Sequence, residues 1–198
     1  METAFTAIPN RLVDTHETTL ERWVRALEVE DLETEGHTFR VTGMAIRLAG
    51  ALGITGEALL NVRRGALLHD VGKLGIPKSI LHKKGRLSET EMAIVRMHPQ
   101  NAYDMLRRVD FPQQALEIPY CHHEKWDGSG YPRHLKGEQI PLSARLFAVV
   151  DVYDALTTNR SYRAAMPRED VVVFLRYQRG RHFDAKIVDT FLELIAVN

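Results

Sequence analysis

Two adjacent residues, His69 and Asp70, close an apolar stretch that reads Leu67-Leu68-His69-Asp70-Val71-Gly72-Lys73. An imidazole beside a carboxylate is costly to bury unless a cation compensates it. The rest of the chain supplies companions of the same chemistry: Glu33 and His37, His98, the pair His122-His123, and Asp151. Together these make eight nitrogen and oxygen ligands, enough for two or three metal ions. Taken singly, each is more often a capping, surface or hydrogen-bonded residue than a ligand. Five of the nine histidines falling into one such set favours the joint reading, a metal site. The other four, His16, His82, His134 and His182, read as surface or loop residues. With no thiolate in the set, imidazole and carboxylate together suit Fe or Mn, and Zn is also compatible. Two such ions roughly 3.5–4 Å apart hold a bridging hydroxide and clamp both oxygens of an in-line phosphoryl displacement. The chemistry expected is hydrolysis of a phosphoester without a nucleophilic side chain.

The elements that must carry these ligands read as helices. Leu20, Trp23, Val24 and Leu27, then Val41, Ala45, Leu48 and Leu52, recur at three- and four-residue steps, the period of amphipathic helices. Further helices are expected over 57–68, from a capping box of Ser88 and Glu91, over 143–158, after Pro167-Arg168-Glu169-Asp170, and over 183–197. Residues 110–117 should lead into a helix bearing His122 and His123, and 126–141 form a loop rich in Gly and Pro. Strand-like alternation is almost absent, so the predicted fold is all-α, a helical bundle. On helices, Glu33 and His37 would share one face, whereas the two adjacent pairs would point about 100 degrees apart and face different ions. His98 and Asp151 come from two further helices. Side chains projecting inward from several helices are how bundles build polynuclear sites.

The chain of 198 residues fits one domain, with 1–12 a lead-in and 13–198 the folded unit. Lys plus Arg and Asp plus Glu number 26 each, so no global field draws in a nucleic-acid polymer or an anionic membrane, and phosphate must be recognised locally. The apolar runs are too short for a membrane span, and the start carries no signal-peptide pattern. Cys121 is the only cysteine, which excludes an internal disulfide and makes the cytoplasm the expected compartment. Beside His122 it reads as a small, partly buried spacer rather than a ligand. The apolar stripe on 14–30 fits either a homodimer contact or packing onto its own domain.

His37, His69-Asp70 and Asp151 reproduce the H…HD…D quartet of the HD phosphohydrolases. The stretches His69-Asp70-Val71-Gly72-Lys73-Leu74-Gly75-Ile76-Pro77 and His122-His123-Glu124-Lys125-Trp126-Asp127-Gly128-Ser129-Gly130-Tyr131-Pro132 resemble the HD-GYP subfamily, as do Asp151-Val152-Tyr153-Asp154-Ala155-Leu156-Thr157 and Asn159-Arg160-Ser161-Tyr162-Arg163. The resemblance covers about 14–191. It implies a helical HD core with added helices and a bi- or trinuclear iron or manganese centre. The reaction implied is hydrolysis of 3′,5′-cyclic di-GMP to the linear dinucleotide and then GMP, and a mixed cyclic GMP-AMP substrate or a quiet regulatory role are the alternatives. The family ligands fall on Glu33, His37, His69, Asp70, His98, His122, His123 and Asp151, and the catalytic lysine on Lys73. Glu33 resembles the mark of the three-metal type.

In the mechanism this suggests, Asp70 bridges two ions. His37, His69 and Asp151 complete one, His98 and His122 hold the second, and Glu33 with His123 a third. Lys73 contacts a non-bridging oxygen or protonates the departing 3′-oxygen, unless it merely caps its helix. Arg160 and Arg163 suit the second phosphate, or else a surface pairing with Asp154 or Glu169. Tyr131 would stack on guanine or contact phosphate, while Trp126 anchors the loop. The same loop resembles a docking surface for diguanylate cyclase domains. Most members carry a receiver or sensor domain upstream, for which this length leaves no room, so the chain is expected to be a stand-alone enzyme or a fragment. Departures from the family pattern are Ala102, Lys84, His134 and Ala185, none of them a ligand.

Overall fold

The computed structural model describes residues 20–22, 24, 36–159 and 163–196. The lead-in over 1–12, Glu33, Arg160 and His16 lie outside the described residues, as do Trp23 and Leu27. Helix α1 (His37–Ala51) starts after Gly36, whose φ of 71° sets the entry turn. Next come α2 (Gly56–Leu67), a 3₁₀ segment (Val71–Gly75), α3 (Lys78–Leu81), α4 (Glu89–Val95) and α5 (His98–Leu106). A second 3₁₀ turn (Gln113–Leu116) leads into the short α6 (Glu117–Cys121); α7 (Leu142–Thr157), α8 (Arg168–Tyr177) and α9 (Ala185–Ala196) complete the order. Among the described residues there is no strand, only an isolated bridge between Arg179 and Phe183, so the all-α expectation holds.

Helix α7 lies at the centre. Leu146, Phe147, Val149 and Val150 leave no surface exposed, and a helix apolar around most of its circumference must be enclosed by others. It packs against α1, α6, α8 and α9. Val41, Ala45 and Leu48 of α1, Val171 and Leu175 of α8, and Ile187, Val188 and Phe191 of α9 close the core around it. Burying each such aliphatic or aromatic side chain contributes roughly 1.5–3 kcal/mol. The C-terminal end of this enclosed helix carries Asp151 and Asp154.

The Ser88 capping box forms: Glu91 N–H donates to Ser88 Oγ at 3.2 Å, and Ser88 N–H to Glu91 Oε2 at 2.7 Å. Leu20 and Val24 pack with Leu67 and Leu68, so the described part of the N-terminal stripe covers its own domain rather than standing open for a second copy. Among the described residues no helix is long and apolar enough to cross a membrane.

Candidate metal centre

Two of the helical premises behind the ligand set give way to turns. Helix α2 ends at Leu67, so His69 and Asp70 occupy the turn before the 3₁₀ segment. Helix α6 ends at Cys121, and His122 is its C-cap, with His123 in the turn beyond. Helix α1 begins at His37, behind a left-handed Gly36; Glu33 lies outside the described residues. Short elements end where burial of the ligands demands a change of direction, and hydrophobic periodicity does not record such ends. His98 does open α5, and Asp151 does lie in α7.

These residues nevertheless converge. His37, His69 and Asp151 form one group and Asp70, His98, His122 and His123 another, with each group's donor atoms within 4.8 Å of one another. Asp70 stands between them. Its Oδ2 is 3.1 Å from His69 Nε2, and its Oδ1 is 3.2 Å from His98 Nε2 and 3.8 Å from His122 Nε2. His123, expected to serve a separate third ion, instead joins the group around Asp70.

Backbone acceptors set the imidazoles. His69 Nδ1 meets the Ala66 carbonyl at 2.9 Å, His98 Nδ1 the Val95 carbonyl at 2.9 Å, and His122 Nδ1 the Ile118 carbonyl at 3.0 Å. A carbonyl only accepts, so Nδ1 carries the proton and Nε2 turns a bare lone pair inward. This is the arrangement in which outer partners fix the tautomer of ligating histidines. His37 is set differently: its Nδ1 lies 2.7 Å from Asp154 Oδ2, and Arg40 grips the same carboxylate with Nε at 2.7 Å and Nη2 at 2.9 Å. Its Nε2 is 3.3 Å from Asp151 Oδ1. Nε2 of His69 is buried with no hydrogen-bond partner of adequate geometry, an orphan that a cation would satisfy. The donor set and this orphan fit divalent ions.

Charge and burial tune the groups unequally. Burial raises the Asp70 carboxyl, but Lys73 and His69 more than offset this and hold it well below the usual carboxylate range. Burial also raises Asp151 and Asp154, and hydrogen bonds from His37, joined at Asp154 by Arg40, bring both below their ordinary value. Burial lowers His69, yet the Asp70 charge outweighs it and the pKa ends above 6.5. Burial and neighbouring imidazoles push His122 well down and His123 to about 4. Lys73 Nζ sits 2.8 Å from Asp70 Oδ2, facing the centre. This agrees with a role in the site better than with a plain helix cap.

The glycines hold close approaches. A Cβ on Gly72 would lie 1.9 Å from the His98 carbonyl oxygen, so only glycine lets the 3₁₀ segment meet the start of α5. Ala102, buried on that same contact, fits where the family pattern has glycine. On the loop, Tyr131 stacks on His123 with ring centroids 4.8 Å apart at 24°, and burial pushes its phenol up to about 12. Trp126 anchors the loop as expected, its N–H donating to the His182 carbonyl at 3.0 Å and its ring lying under Arg145.

Several residues that sequence reasoning passed over matter here. Asp154 was visible only as a one-turn neighbour of Asp151. Glu124 is buried and accepts from the N–H groups of Arg133 at 2.7 Å and Leu135 at 3.0 Å, which ties down the loop. A glutamate directly after two histidines was the available signal. His182 lies in a turn, within the surface-or-loop expectation, but it is half-buried and stacked on Phe183 at 4.1 Å, and burial lowers it to about 4. His82 and His134 are exposed as expected. Arg163 does not pair with Asp154 or Glu169, since its guanidinium donates to the Ala155 carbonyl. Cys121 is buried, outside both groups, and burial raises its thiol to about 11, as suits a spacer.

A family profile described as HD domain matches residues 8–187. The 3′3′-cGAMP-specific phosphodiesterase 2 of Vibrio cholerae is 42% identical over 189 residues, 93% of this chain and 36% of that protein. The cyclic di-GMP phosphodiesterase response regulator RpfG of Xanthomonas campestris is 40% identical over 194 residues, 97% of this chain and 51% of that protein. The chain thus spans about a third to a half of these curated relatives. Among solved structures, the cyclic GMP-AMP-specific phosphodiesterase V-cGAP3 of V. cholerae shares the fold with a TM-score of 0.67 at 20% identity, over 89% of this chain and 49% of that one.

Proposed function

Because the chain belongs to the HD domain family, with the HD-GYP motifs in place around two adjoining ligand groups, we propose that it is a metal-dependent phosphodiesterase for a 3′,5′-cyclic dinucleotide. Cyclic di-GMP, opened to linear pGpG and then cut to GMP, is the first substrate. The observation that supports this most is the position of Asp70, with one carboxylate oxygen toward each group. In this reading His37, His69, Asp151 and Asp70 hold one divalent ion, and Asp70, His98, His122 and His123 the other, with Fe or Mn preferred. A third ion would draw on Glu33. Bound divalent ions would supply Lewis-acid activation of water and would offset charge growing at phosphorus.

The side chains do the rest. Asp70, kept ionised by Lys73 and His69, fixes the spacing of the two groups. The backbone carbonyls behind His69, His98 and His122 hold their Nε2 atoms inward before substrate arrives. Lys73 places an ammonium where negative charge builds on a non-bridging oxygen or on the departing 3′-oxygen. Tyr131, packed on His123, offers the outer wall of the pocket to a base.

A second reading, 3′3′-cGAMP as the preferred substrate, is favoured by one observation: a relative at 42% identity is named for that specificity. Chromatographic turnover of both dinucleotides, with Fe(II) or Mn(II) supplied under anaerobic conditions, tests both readings. Cleavage of cyclic di-GMP at the higher kcat/KM is the expected result. Preference for cGAMP would replace the first reading with the second, and cleavage of neither by fully metallated protein would end the proposal.

A further inference from the structure

We propose that Arg96 grips the phosphate of the cyclic dinucleotide that is not being cleaved, an assignment that rests on the function proposed above. Arg96 is the C-cap of α4, between Val95, whose carbonyl takes the His98 Nδ1 proton, and His98 itself. Its backbone is thereby tied to a ligand of the Asp70 group. Its guanidinium carbon lies 5.7 Å from the centroid of the Tyr131 ring, and that ring stacks on His123. A line of cation, phenol and imidazole thus runs from the exposed Arg96 to the ligand group. The ring holds the guanidinium over its face while leaving the hydrogen-bonding fork open.

Among the described residues, three other cations near the centre are already engaged. Lys73 pairs with Asp70, Arg40 with Asp154, and Arg163 with the Ala155 carbonyl. Arg96 is exposed, and its guanidinium makes no ion pair or hydrogen bond to a described residue. A cyclic dinucleotide carries two phosphodiesters. The one at the metal ligands meets the cations there, and the other needs a donor at the rim. A planar guanidinium matches two non-bridging oxygens at once, which an ammonium does not.

The test is steady-state kinetics of Arg96→Ala, Arg96→Gln and Arg96→Lys with cyclic di-GMP, alongside bis(p-nitrophenyl) phosphate, a substrate with a single phosphodiester. Loss of a charge-assisted pair at an exposed site should raise KM for the dinucleotide about tenfold. kcat should change by less than about threefold, metal content should stay at the wild-type level, and Arg96→Lys should recover only part of the loss. Turnover of bis(p-nitrophenyl) phosphate should be the same in all forms. An unchanged KM for the dinucleotide, or an equal loss on both substrates, overturns the assignment. Wild-type protein that cleaves bis(p-nitrophenyl) phosphate but neither binds nor cleaves a cyclic dinucleotide overturns the proposed function, and the role of Arg96 with it. Because Arg96 lies on the surface, its variants should fold, and Arg96→Gln checks any that does not.

Discussion

The two ligand groups adjoin at one carboxylate, Asp70, and are built in different ways. His37 and Asp151 are set in α1 and α7, the long helices of the main core, and His37 is backed by the buried Asp154, itself clamped by Arg40. The group around Asp70 is assembled from turns and helix ends: the residues after α2 and α6 and the first residue of α5. Its three imidazoles crowd together, with His98 and His122 Nε2 atoms 3.3 Å apart, and each is oriented by the backbone or by a neighbouring ring. Burial, and after it crowding, lowers the pKa of His122 and His123, whereas the Asp70 charge raises that of His69 against its own burial. Protons therefore compete with a metal less at His122 and His123 than at His69.

Replacing the shared residue should have the largest effect. Asp70→Asn should lower turnover by roughly three orders of magnitude and deplete metal from both groups, as expected for a lost ligand worth several kcal/mol. Loss of a single equivalent in elemental analysis would show that Asp70 serves only one of them. A change confined to the helix-built group comes next. Asp154→Asn should weaken metal binding there by about 10–100-fold, the usual cost of an outer partner, with the other group still loaded. Calorimetric titration in which both sites weaken equally would erase the distinction drawn between them.

Acidity separates the groups in opposite senses. His123 is held neutral down to about 4 against an ordinary value of 6.5. The unfolded chain therefore binds a proton over this window that the folded chain does not, and stability falls as pH drops through it. For metal-free protein the loss from this residue should approach ~3 kcal/mol between pH 6.5 and 4, followed by denaturant unfolding. His69 works the other way: its raised pKa adds stability present below 6.5 that is lost as pH climbs through the folded value. Saturating metal should raise stability near neutral pH and steepen the acid-side loss, because bound ions keep the ligating histidines unprotonated in the folded chain; an acid-side loss unchanged by metal would mean that these histidines are not its source. The smallest effect lies in the loop over that group. His134 has φ 55°, a left-handed conformation where the family pattern has glycine. His134→Gly should therefore raise stability by about 0.5 kcal/mol, the relief of strain less the added freedom of the unfolded chain. A loss would mean that the imidazole makes a contact worth more than its strain.

Much of this was legible in the residues. The helical period, the capping box at Ser88 and the apolar α7 are consequences of local composition. So was the clustering of His37, His69, Asp70, His98, His122, His123 and Asp151, because so many imidazoles and carboxylates have few other reasons to coexist in one domain. Other features were not legible because they depend on where chains cross. The turns after Leu67 and Cys121 go with tertiary contacts that local composition does not record: the 3₁₀ segment after α2 packs on α5, and α6 packs on α5 and α7. Asp154 became an outer partner only when α1 met α7, and Arg163 found a carbonyl rather than a carboxylate for the same reason. The half-burial of His182 was not legible either, since it depends on stacking against Phe183.

The sequence by itself determined an all-α chain and the donor chemistry of its centre, since periodicity and side-chain type are local properties. Tertiary structure alone decided which donors share an ion, which of them a carboxylate backs and which a carbonyl, and which cation was left at the rim. Those depend on distances between segments far apart in the chain, set by packing that no single segment encodes.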